Sequence, residues 1–425
     1  MSRHRRYLVS ALLMLGPQAV AAQPRWSPPE SLDDVREVYE ISSSQFVSEG
    51  SLLFAPALFG GAPNALEVLA IDFTVTPPVV TPDPVATGNI FALGALDENP
   101  TGSGFSFVDG SFDLRYGFCP HPCTNFTSQL VAAGTLVDSA SGASASHHFV
   151  ATLGNSSPRT LGVFHSANGS DWTLLYSYVP PETGGVCGQY NGCGRIGFVV
   201  DPTATVLANT LSCLTFEVTM SATTTERRVT CFLGNTPQFV LPVDTDVPYA
   251  APVLDRLTDG IIIREFQAFL ARISGVYRHR ETEALRAFEL AVATQALTGP
   301  VELGPAPAGS APFGLSGVPL PGLGIRILWA ASGPGEPAND VEWDPATLAQ
   351  LRRLAPSNNL RQLGLQIHDD ANSPGGLFVR ALFSVPPLRE SAPLGAGLML
   401  SSYRLPLFDD GFETADTLRW SATSP

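Results

Sequence analysis

Apolar and polar residues alternate in short bursts along this chain. The pattern is clearest over residues 147–178, HHFVATLGNSSPRTLGVFHSANGSDWTLLYSY. Successive strand side chains point to opposite faces, so Phe149, Ala151 and Leu153 share one side of a first strand. Leu161 and Val163 share one side of a second, and Trp172, Leu174, Tyr176 and Tyr178 one side of a third. The separators LGNSSP and SANGSD hold Gly, Asn, Ser and Pro, which suit tight reversals. This segment predicts an antiparallel up-and-down sheet.

Comparable units precede and follow it. FVSEGSLLF, ALFG and ALEVLAIDFTV form one, and TPPVVTPDPV after it reads as a Pro-rich connector unable to sit inside a sheet. NIFALGAL, GFSFVDG and SFDLRYGFC form the next, with FTSQLVAAG as a fourth strand. Four more units follow residue 194. Third-strand markers at Tyr116, Tyr176, Cys231, Phe288, Trp343 and Met399 are spaced by 60, 55, 57, 55 and 56 residues. A period near this length suits a four-stranded propeller blade with generous loops. The expected fold is therefore all-β, a β-propeller of six blades, or seven if the N-terminal unit counts, spanning residues 23–408. Tandem β-sandwiches are the alternative. Two stretches favour helix. One is residues 344–355, where Pro345 follows Asp344 as in a capped helix start, predicting a short helical insertion; the other is residues 281–297, rich in helix formers. Either residues 31–39 begin a short helix capped by Ser31, or residues 36–41, REVYEI, are an edge strand.

Composition adds the compartment. Residues 1–22 carry Arg3, Arg5 and Arg6, an apolar run and small residues up to Ala22, the anatomy of a secretory signal, which predicts an extracellular or periplasmic protein. No later stretch is apolar enough to span a membrane. The formal charge of -15 becomes -15 - 3 = -18 without the leader arginines, which argues against nucleic acid as a partner. All 24 basic residues are Arg. Six Cys in an exported chain predict disulfides. If Ser221, Ala222 and Thr223 form a hairpin loop, Cys213 falls opposite Cys231 and Glu217 opposite Arg227. Cys119 with Cys123, and Cys187 with Cys193, would close small local loops.

Candidate chemistry is sparse. No nucleophile elbow, zinc-protease helix or phosphate loop occurs. No cofactor or metal is expected. Propeller sites gather residues from several blades at the axis, so Arg195, Arg264 and Arg361, with His147 and His148, are candidate channel-lining residues at or near first strands. Asp244 and Asp246 in PVDTDVP read as loop punctuation.

Two motifs carry a resemblance. FHSANGSDW is similar to the Asp-box turn, with Ser166, Gly169 and Trp172 in place, Asn168 where Asp is expected, and the turn one residue short. Together with LRYGFCPHPC it makes the chain resemble secreted bacterial propellers with sialidase-type repeats. That resemblance implies a propeller fold, with the Asp-box as a fold-stabilising turn. The tail, residues 409–425, resembles the DGFE-x-x-D-x-x-x-W ending of secreted bacterial proteins. The expectation is an exported, monomeric, non-catalytic propeller binding a glycan or protein; a carbohydrate-active hydrolase of sialidase-like type is the alternative.

Overall fold

The computed structural model describes residues 30–33, 36, 38–41, 47–49, 52–134, 136–154, 159–179, 186–187, 195–248, 261–267, 270–282, 284–305, 314–320, 326–332, 339–344, 349–353, 362–369, 377–384 and 398–404. They form seven antiparallel sheets. Blade 1 runs Val38–Ile41 with Val47–Glu49, then Leu52–Phe59, Ala65–Asp72 and Val79–Thr87. Blade 2 runs Ile90–Leu93 with Asp97–Asn99, then Gly102–Asp109, Leu114–Pro120 and Thr127–Ala132. Blade 3 is Leu136–Ala143, His148–Gly154, Leu161–Ser166 and Thr173–Tyr178. Blade 4 has Val186–Cys187 and Gly197–Val200 both against Leu211–Ser221, followed by Thr224–Leu233 and Thr236–Asp246. Blade 5 is Ile261–Gln267, Leu270–His279, Ala284–Ala291 and Ala296–Pro305; blade 6 is Gly314–Leu320, Arg326–Ser332, Asn339–Asp344 and Ala349–Arg353.

Blade 7 closes the ring. Its first three strands are Gln362–Asp369, Leu377–Ser384 and Leu398–Arg404, and its outermost is Glu30–Asp33 from the start of the described chain. First strands of successive blades touch from blade 2 round to blade 7, and blade 7's first strand touches that of blade 1. Sheets arranged around first strands in mutual contact radiate from an axis. This is a seven-bladed β-propeller, not a stack of sandwich layers.

Apolar side chains fill the seams between blades. Phe149, Ala151, Leu153, Leu161 and Val163 of blade 3 pack on Phe198, Val200, Leu214, Phe216 and Phe232 of blade 4. The other face of blade 3 gives Val150 to a cluster with Tyr116 and Phe118 of blade 2. A strand covered on both faces carries apolar residues at consecutive positions, which explains why Leu214, Phe216 and Val218 alternate with Cys213 and Thr215 and all are buried.

Several expectations change. Residues 79–87 are not a connector but the outermost strand of blade 1; Pro82 and Pro84 lie on that free edge, where a missing N–H costs no ladder bond to a further strand. Of the stretch 344–355, where a helix was expected, the described residues 349–353 are a strand, because Ala349–Arg353 pairs with Asn339–Asp344 as the fourth strand of blade 6. Sheet pairing there overrides local helix propensity. Residues 281–297 likewise hold two strands joined by the short turn Val292–Thr294. Tyr176 sits in a fourth strand, not a third: blade 3 opens with Leu136–Ala143, whose LVDSASGA has no apolar alternation to announce it.

Candidate functional site

Up-and-down strands place the turns at two rims. First-to-second and third-to-fourth turns share one, here the odd rim; second-to-third turns and blade-to-blade crossings share the other, the even rim. Functional side chains divide accordingly.

At the odd rim of blades 2 and 3, a polar network is sealed between aromatic rings. The Tyr116 hydroxyl donates to Asp97 Oδ1 at 2.8 Å and lies 2.9 Å from His148 Nδ1, itself 3.0 Å from Asp97 Oδ1. His148 Nε2 is 3.1 Å from Thr101 Oγ1, which donates to Asn99 Oδ1 at 2.7 Å. Tyr116 and His148 have no exposed surface. Burial, and then the Asp97 carboxylate, push the Tyr116 phenol well above its ordinary range, so it acts as a hydrogen-bond donor and not as a nucleophile. His147 and His165 lie beside this network on the opposite face of blade 3, and His121 pairs with Glu98 at 3.2 Å. Four of the chain's seven histidines therefore gather at one rim of two adjacent blades. His148 begins a second strand, not the first strand expected of it.

The Asp-box-like turn sits on the same rim, between the third and fourth strands of blade 3. Asn168 replaces the expected aspartate in function, its Oδ1 accepting from the backbone N–H groups of Ser170 at 3.0 Å and Asp171 at 2.9 Å. Its Nδ2 donates to Asp171 Oδ2 at 2.7 Å. Gly169 has φ +73°, and a Cβ there would come within 2.6 Å of the Phe118 ring of blade 2. Trp172 meets Tyr116 edge-on at 4.8 Å between centroids. The turn thus locks blade 3 to blade 2.

The even rim holds cation-rich pins. Arg195, two residues before the first strand of blade 4, donates through Nε to Asp138 Oδ1 of blade 3 at 3.1 Å and through an Nη to the Leu93 carbonyl of blade 2 at 2.9 Å. Burial pushes the Asp138 carboxyl above its ordinary range, opposed by Arg195 and the Ile196 and Ser139 amides. Between blades 4 and 5, Arg280 grips both Glu217 oxygens at 3.1 and 2.7 Å, and Arg227 donates to the same carboxylate. Asp246 Oδ1 accepts from the backbone N–H groups of Arg280 and Glu281 at 3.1 Å each. Asp244 Oδ2 accepts from the Tyr277 hydroxyl at 2.7 Å and from Arg286 at 2.8 Å. Both aspartates end a strand and anchor it, where loop punctuation was expected. Arg264 lies in the first strand of blade 5. Arg361 is outside the described residues, as is Cys193.

Cys213–Cys231 and Cys119–Cys123 are bonded, the former with Cα atoms 4.1 Å apart. Cys213 opposes Cys231 and Glu217 opposes Arg227 as the hairpin count requires, although the loop is tighter than expected, with Ser221 pairing Thr224 across a bulge. Among the described residues no group of three or more His, Cys, Asp or Glu lies at metal-holding distance, and no helix is long and apolar enough to cross a membrane.

Solved structures share this architecture. The BP39L lectin from Burkholderia pseudomallei matches with TM-score 0.53 and 10% identity, over 85% of this chain and 95% of the lectin. The polysaccharide lyase Uly1 matches with TM-score 0.50 and 10% identity, over 90% of this chain and 100% of its own. A Trypanosoma rangeli sialidase matches with TM-score 0.42 and 9% identity, over 82% of this chain and 60% of the sialidase. At such identity the first two likenesses speak for the fold alone, and they agree with the radial sheets: the chain is a β-propeller. No family model and no curated protein matches it.

Proposed function

We propose that this chain is an exported, monomeric, non-catalytic propeller that binds a glycan or protein ligand across one rim. The placement of Arg195 carries the choice of binding over turnover. A sialidase-like hydrolase would need guanidinium groups facing the channel, whereas Arg195 is 6% exposed and committed to Asp138 and Leu93. Arg227 and Arg280 are similarly committed to Glu217. The fold is shared with a lectin and with a polysaccharide lyase alike, and the two disulfides among the described residues fit an oxidising compartment.

A glycan array probed with the chain from residue 23 onward tests the reading. One glycan class should be retained without release of products. Cleavage of any arrayed glycan would instead make the chain a carbohydrate-active enzyme.

A further inference from the structure

His147 and His165 belong to the face of blade 3 turned towards blade 4. Phe149 is directly opposite His165 across the strand pair, and His147 stands two residues before Phe149 on the same side. Their ring centres are 5.4 Å apart with planes inclined by 53°. Both rings are half-buried. His147 Nδ1 lies 2.8 Å from Ser146 Oγ. His165 Nδ1 is buried without a hydrogen-bond partner, an arrangement uncommon for a polar group unless it is reserved for a ligand or water. A divalent ion about 2.1 Å from each of two imidazole nitrogens at a tetrahedral angle keeps the ring centres about 5 Å apart. The observed 5.4 Å between ring centres falls at that spacing.

We propose that His147 and His165 form a two-imidazole chelate for a late first-row divalent ion at the odd rim of blade 3. Imidazole nitrogen suits nickel, copper and zinc, and each ring must be neutral to offer its lone pair. Desolvation, and then the neighbouring His148, hold His147 below the usual imidazole range; desolvation, and then His147, do the same for His165. The lowering favours the neutral ring in each. In the tautomer whose Nδ1–H donates to Ser146 Oγ, His147 presents Nε2 as the ligand, the second contact orienting the first. Two protein ligands leave the remaining positions to water, so the bound ion exchanges readily and can accept a further oxygen donor. The site goes beyond the ligand-binding reading above and stands whether or not a glycan binds.

Isothermal titration of the whole chain with nickel chloride at neutral pH tests it, alongside His147→Ala, His165→Ala and His121→Ala. The expected result is saturable uptake of one ion by the unaltered chain, weakened by about tenfold or more in each of the first two variants and unchanged in the third. Thermal unfolding without metal, with His147→Gln and His165→Asn as milder changes, separates loss of the ligand from loss of the fold. Absence of saturable uptake, or uptake that survives both folded rim variants, overturns the proposal.

Discussion

A guanidinium reaches several acceptors from one side chain, and this chain, which has no lysine, uses that reach to tie its blades. Arg280 touches Glu217, Thr225 and the Val247 carbonyl; Arg195 touches blades 2 and 3 from blade 4. The uniform use of Arg reads in the sequence as composition alone, and only the partners give it a structural role. Histidines work by a different principle. His147 and His165 are bases held below their ordinary pKa of 6.5, so on acidification the unfolded chain takes up protons first. The folded state has its full advantage above about pH 6.5 and loses it as pH falls from there through the lowered values. Thermal midpoints measured in chelator-containing buffer across this window should fall with pH, and His147→Asn with His165→Asn should flatten the slope. An unchanged slope in the double variant would show that other groups set it.

Among the elements, the hairpin Leu211–Ser221 to Thr224–Leu233 is the one most fully legible in the sequence. A loop position and an antiparallel count suffice to pair two cysteines and one charge pair, because a strand register once started runs on by residue number. The bond spans 18 residues, and removing it by C213A together with C231A should cost about 3 kcal/mol, read as a lower denaturant midpoint under non-reducing conditions. Elements of another kind escape a reading by pattern. Leu136–Ala143 lacks alternation, since near the axis Ser141 packs tightly enough to bond the Ala95 carbonyl at 2.6 Å and large side chains have no room. Ala349–Arg353 has helical propensity that its strand partner overrules.

For the whole molecule, closure is the decisive feature. Glu30–Asp33 pairs with Leu398–Arg404, and Leu32 packs against the cluster that holds Val38, Ile41 and Leu398. Deleting residues 30–33 removes a short ladder and one largely covered leucine, which should cost about 2 kcal/mol or more. It also bares the edge of Leu398–Arg404, so loss of stability should be accompanied by concentration-dependent association in light scattering. A deletion that leaves both the melting curve and the scattering unchanged would mean that the strand does not hold the ring shut.

Alternation and turn residues determined by themselves that the chain is built of short antiparallel strands in repeated units, since side-chain direction along a strand is a local property. The hairpin disulfide followed from the same local rule. Tertiary structure alone decided the count of seven, the strand that closes the ring, and the fate of the charged residues. Those outcomes rest on contacts between positions far apart in the chain, such as Arg195 with Leu93 at a separation of 102 residues, and no local pattern encodes which distant carbonyl a guanidinium will meet.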